Sequence, residues 1–106
     1  STAYRKWEKQ ARKYAIEQGG NLKLTCDVHV KVSVFYKGQR PDLSGVLESV
    51  GDCLEGIVWE NDRQIVSWDE SRLIHDKDNP RTWVTVSWSE ADSGKDDRPR
   101  AGGATL

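Results

Sequence analysis

From Tyr4 to Gln18, the residues Tyr4, Trp7, Ala11, Tyr14 and Ala15 recur at helical spacing. Gly19-Gly20 closes the run, so the pattern predicts an amphipathic helix. Between Leu24 and Tyr36 the period changes to two: Cys26, Val28, Val30, Val32, Val34 and Tyr36 alternate with polar residues. So many valines at that period predict a β-strand with one buried face. A loop follows at Lys37-Gly38-Gln39-Arg40-Pro41, and Asp42 is placed to cap a second helix from Leu43 to about Glu55. Leu43, Val46, Leu47, Val50 and Leu54 form its apolar stripe, while Ser44, Glu48 and Asp52 share the opposite face at four-residue steps. After Ile57-Val58-Trp59 and the turn Glu60-Asn61-Asp62, two strands are expected, Gln64 to His75 and Arg81 to Trp88, joined as a hairpin.

The order α-β-α-β-β predicts an α/β (α+β) domain, a small mixed sheet with two helices packed on it. It spans residues 1–88. Residues 89–106 contain no aromatic and only a terminal Leu, too little apolar area to offset chain entropy, so they are expected to form a disordered tail. A folded part of about 85 residues is small for a self-sufficient core, and a homodimer would relieve that shortage.

No apolar run approaches the roughly 18 residues of a membrane span, and no signal peptide is visible. Cys26 and Cys53 are expected as reduced, buried thiols in a cytoplasmic protein. With two histidines and no CxxC, the composition offers no zinc site. The net charge of −1 hides an asymmetry: residues 1–40 hold nine Lys/Arg against three Asp/Glu, residues 41–80 three against ten. Arg5, Lys6, Lys9, Arg12 and Lys13 share the polar face of the first helix, which is either solvated or a phosphate-binding surface. A basic surface beside an acidic cluster suits a metal nuclease, where cations hold phosphate and carboxylates hold Mg²⁺. Equally, the two halves simply carry different solvated faces. Taken singly, Asp42 reads as a helix cap and Asp62 as a turn former.

Three strings carry a more specific signal: Arg40-Pro41-Asp42-Leu43, then Val50-Gly51-Asp52-Cys53-Leu54-Glu55-Gly56-Ile57-Val58-Trp59, then Asp62-Arg63-Gln64-Ile65-Val66. Together with the opening helix they resemble the RusA family of Holliday-junction resolvases, over about residues 1–88. That resemblance implies a homodimeric endodeoxyribonuclease, dependent on Mg²⁺ (or Mn²⁺), that cuts branched DNA. It also implies roles. Asp42 and Asp62 match motif acids and are the expected metal ligands; Asp52 matches the helix Asp and is either a further metal ligand or a carboxylate just behind the ligands, and Glu48 is a substitute ligand. Asp42, Asp62 and Glu48 are the expected catalytic residues, and Lys37, Arg40 and Arg63 the expected DNA contacts.

The departures are equally specific. Ser44 stands where the family has an Asp, Gly45 where it has Asn, Glu48 where it has a helix lysine, and Asn61 where it has the first Asp of a pair. Either Glu48, one turn beyond Ser44, rebuilds the site, or the domain is a catalytically silent module that binds DNA or a protein. A small interaction protein that converges on the pattern is a third reading. The family's first strand does not precede Ser1, and the chain has no Met, so a fragment is expected. Of the five tryptophans, Trp7, Trp59, Trp68 and Trp88 are expected in the core or a dimer interface. Trp83 is expected to be exposed, against a second subunit or an unpaired base. His29 and His75 are expected on solvent faces.

Overall fold

The computed structural model of the chain describes residues 2–19, 21–88 and 100–105. Helix α1 (Thr2–Gly19) is followed by β1 (Val28–Tyr36), α2 (Leu43–Cys53), a short 3-10 turn (Asp62–Gln64), β2 (Ile65–Trp68), β3 (Arg72–His75), β4 (Arg81–Trp88) and β5 (Arg100–Thr105). The mixed α/β architecture matches the expected fold class.

The alternation read in β1 is real. Val28, Val30, Val32 and Val34 are all buried, and they pack with Val84 and Val86 of β4 against Ala11 and Ala15 of α1 and Val50, Cys53 and Leu54 of α2. Both helices therefore cover one sheet face. Tyr14, expected on the apolar stripe of α1, is instead 44% exposed. Trp59 is fully buried, and Trp7, Trp68 and Trp88 are partly buried against the same core. Trp83 is exposed, with its indole N–H donating to Thr85 Oγ1 at 3.0 Å. His29 and His75 are exposed as well.

The sheet differs from the expected hairpin. β1 is its centre: β2 and β3 run parallel along one edge, and β4 pairs antiparallel along the other, from Val28↔Trp88 to Phe35↔Arg81. The long segment after Gln64 breaks at Asp69–Ser71, where Glu70 adopts a φ of 27°. Ser71 Oγ accepts the Val32 N–H at 2.9 Å there, so the β1 edge stays hydrogen-bonded across the break. The turn at Asp76–Pro80 then carries the chain past the end of β1. The Asp76 N–H donates to Tyr36 O at 2.8 Å, and the Arg81 guanidinium pairs with Asp76 at 3.2 Å and sits 3.7 Å from the Phe35 ring centroid.

The expected disordered tail lies partly outside the described residues, at 89–99 and 106. Arg100–Thr105 is a correction to that expectation: it pairs antiparallel with β4, from Trp88↔Arg100 to Trp83↔Thr105. A strand needs backbone donors and acceptors, which Ala101-Gly102-Gly103-Ala104 supplies without apolar bulk. Composition alone does not reveal that. No described helix is long and apolar enough to cross a membrane.

Candidate metal centre

The end of α2 is built as a tight reversal. Ile57 and Val58 donate their N–H groups to Leu54 O at 3.1 and 2.9 Å, and the Gly56 N–H donates to Trp59 O at 2.7 Å. Gly56 has a φ of 85°, a conformation costly for any residue with a Cβ. Trp59 anchors the reversal from inside, donating its indole N–H to Gly51 O at 3.2 Å. The chain then enters the 3-10 turn through a reciprocal cap: Asn61 Oδ1 accepts the Arg63 N–H at 2.9 Å, and Gln64 Oε1 accepts the Asn61 N–H at 2.8 Å. Gln64 Nε2 in turn donates to Leu24 O at 2.7 Å and Cys26 O at 2.9 Å. Asp62 is thus held between two fixed residues.

This reversal brings three carboxylates together. Oxygens of Asp52, Glu55 and Asp62 lie within 4.8 Å of one another; Asp52 and Asp62 are exposed and Glu55 half-buried. They gather at the C-terminal end of α2, the negative pole of the helix, where the dipole and their mutual repulsion both disfavour anions. The last turn of α2 carries no basic residue. Arg12 of α1 reaches across, but its Nη1 donates to the carbonyls of Cys53 at 2.7 Å and Glu55 at 3.2 Å. Three hard oxygen donors and a field that favours a cation suit Mg²⁺ or Mn²⁺. Neighbouring Cys53 is no competing ligand: burial, helped by Glu8 and opposed by Arg12, pushes its thiol up to about 11.

Of the expected ligands, Asp52 and Asp62 meet here, joined by Glu55, which the sequence reading did not single out. Its signal was present, since Asp52 and Glu55 are three residues apart and face the same way on a helical path. Asp42 occupies the opposite end of α2, roughly 15 Å from Asp52 at 1.5 Å per residue. It stands at the N-cap position without a side-chain cap bond. Its carboxylate accepts instead from Ser44 Oγ at 3.2 and 3.3 Å, and it borders an open groove walled by Trp7, Val34 and Val46. Glu48 is exposed midway along α2. Neither Asp42 nor Glu48 joins a group of three acids among the described residues. Lys37 and Arg40 are exposed just ahead of Asp42, and Arg63 is exposed directly after Asp62.

No curated protein and no solved structure matches this sequence. One protein family does, described as endodeoxyribonuclease RusA, over residues 1–87. That span takes in both helices, β1, the acidic reversal and nearly all of β4. The chain belongs to the RusA family of endodeoxyribonucleases.

Proposed function

We propose that the chain is a divalent-metal-dependent endonuclease acting on branched DNA, such as a Holliday junction, with the ion held by Asp52, Glu55 and Asp62. The observation that carries this reading is the meeting of the three carboxylates in a domain of nuclease descent. A bound Mg²⁺ or Mn²⁺ supplies two things: activation of water and neutralisation of charge on a phosphodiester under in-line attack. The chain's own residues do the rest. Asp62, within the Asn61–Gln64 cap, would help hold the ion, and Arg63 beside it would take a phosphate oxygen. Lys37 and Arg40 hold DNA at the other end of α2. As a homodimer, two such centres would cut paired strands.

Asp42 is assigned no share of the ion, because ten residues of helix carry it away, and Glu48, one turn from Asp52 on the same face, stands outside the group of three acids. That same separation favours a second reading. With Ser44 and Glu48 in place of a family Asp and Lys, the domain keeps the fold and binds junctions without cutting them.

Incubation of a labelled synthetic four-way junction with Mg²⁺ or Mn²⁺ separates the two. The nuclease reading predicts symmetric cutting, abolished by Asp62→Asn. Salt-sensitive binding with no cutting by the unmutated chain would establish the silent module instead.

A further inference from the structure

The exposed face of α1 has no role in the centre just described. Arg5, Lys6, Lys9 and Lys13 are all exposed. They lie within about a third of the helix circumference, on the side away from Ala11 and Ala15, which are buried against the core. None makes a hydrogen bond or ion pair with another described residue; the one described salt bridge is Arg81–Asp76.

The arrangement works against the isolated helix in two ways. Arg5 and Lys9, and Lys9 and Lys13, are like-charge pairs at i and i+4, which repel. The first turn of α1 also contains no acidic residue, so Arg5 and Lys6 sit near the positive pole of the helix with nothing to offset it. Of the two acids of α1, Glu8 turns inward, close enough to Cys53 to raise its pKa, and Glu17 lies one turn beyond Lys13 at the far end of the row. An external polyanion would satisfy every one of these cations.

The face also has a direction. Arg12, at the edge of the same stripe, touches the carbonyl of Glu55 at 3.2 Å. The cationic row therefore runs up to a residue of the acid cluster. From Arg5 to Lys13 it rises about 12 Å, the length of duplex axis over which one strand presents three or four phosphates, at about 3.4 Å of axis each.

We propose that the Arg5–Lys6–Lys9–Lys13 face of α1 is the seat of a duplex arm, its phosphates laid along the cations and leading to the acid cluster. The inference rests on the nuclease reading and adds the surface that holds the substrate beside the centre.

The test uses the full chain and a triple variant, Lys6→Gln, Lys9→Gln and Lys13→Gln. Binding to a labelled four-way junction is measured over a series of KCl concentrations, with Ca²⁺ in place of Mg²⁺. Each phosphate contact contributes about 0.9 to the slope of log affinity against log salt. The variant should therefore lose about 2.7 from that slope for each protomer bound to the junction, and on the order of 100-fold or more in affinity at 0.1 M KCl. Its melting temperature should hold or rise, because repulsion within α1 is relieved; that combination excludes misfolding as the cause. An unchanged slope beside a junction-binding parent would overturn this inference and leave the nuclease reading standing. An unchanged slope with a reduced sedimentation mass would assign the face to a second copy of the chain, which also overturns it. A parent chain that binds no junction at low salt would remove the nuclease reading itself.

Discussion

Cys53 shows how closely the core and the candidate centre are joined. Its side chain is fully buried, while its backbone carbonyl accepts from Arg12 beside the acid cluster. Burial raises the thiol from 9.0 in the unfolded chain to about 11. The folded state therefore holds this proton more tightly than the unfolded state. The resulting stability is fully present below pH 9 and is lost as pH rises from 9 towards 11. Denaturant unfolding across that window should show a falling midpoint, and Cys53→Ala should flatten the fall. The same burial predicts that a thiol reagent at pH 8 labels half-exposed Cys26 first and reaches Cys53 only on unfolding.

Among the elements, the 3-10 turn is tied to the rest of the fold through Gln64. One side chain closes the cap on Asn61 and binds the carbonyls of Leu24 and Cys26, so it ties the approach to β1 to the approach to β2. Removing it takes the donor from the Cys26 carbonyl, a cost of about 1–3 kcal/mol for an unsatisfied group, while Leu24 O keeps the Glu60 N–H at 3.2 Å. Gln64→Ala should lower stability by that order in urea unfolding, and should weaken metal binding as well, because Asp62 loses its fixed neighbour. The same turn shows what the sequence reveals and what it hides. The helices and β1 were legible because a periodic apolar face can be buried only one way. The pairing of β2 and β3 was not, because their break depends on Ser71 Oγ standing in for a backbone acceptor. Nor was β5, an Ala-Gly-rich segment whose pairing with β4 leaves no apolar period to read. Motif matching singles out Asp52 and Asp62, and the fold brings them together with Glu55, a contact that depends on a reversal set by buried Trp59 and by Gly56, not on spacing alone. Asp42, the other motif acid, lies ten helical steps from Asp52, a distance a motif does not express.

On the scale of the whole molecule, the charge asymmetry of the sequence becomes a spatial one. The cations of α1 reach the Glu55 carbonyl through Arg12, and the acids gather just beyond, so a basic and an acidic surface adjoin. This layout puts two candidate positions for an ion at opposite ends of α2, one at Asp42 and one at Asp52, Glu55 and Asp62. Asp42 is the acid that the family motif would choose, and Glu55 is the acid that the fold supplies. Calorimetric titration of Mn²⁺ into the unmutated chain, Glu55→Gln and Asp42→Asn decides between them. The account predicts that Glu55→Gln weakens Mn²⁺ binding at least 10-fold, the order expected when a carboxylate ligand loses its charge, while Asp42→Asn binds as the parent does. Full binding by Glu55→Gln together with its loss in Asp42→Asn would contradict the account and place the ion at the other end of α2.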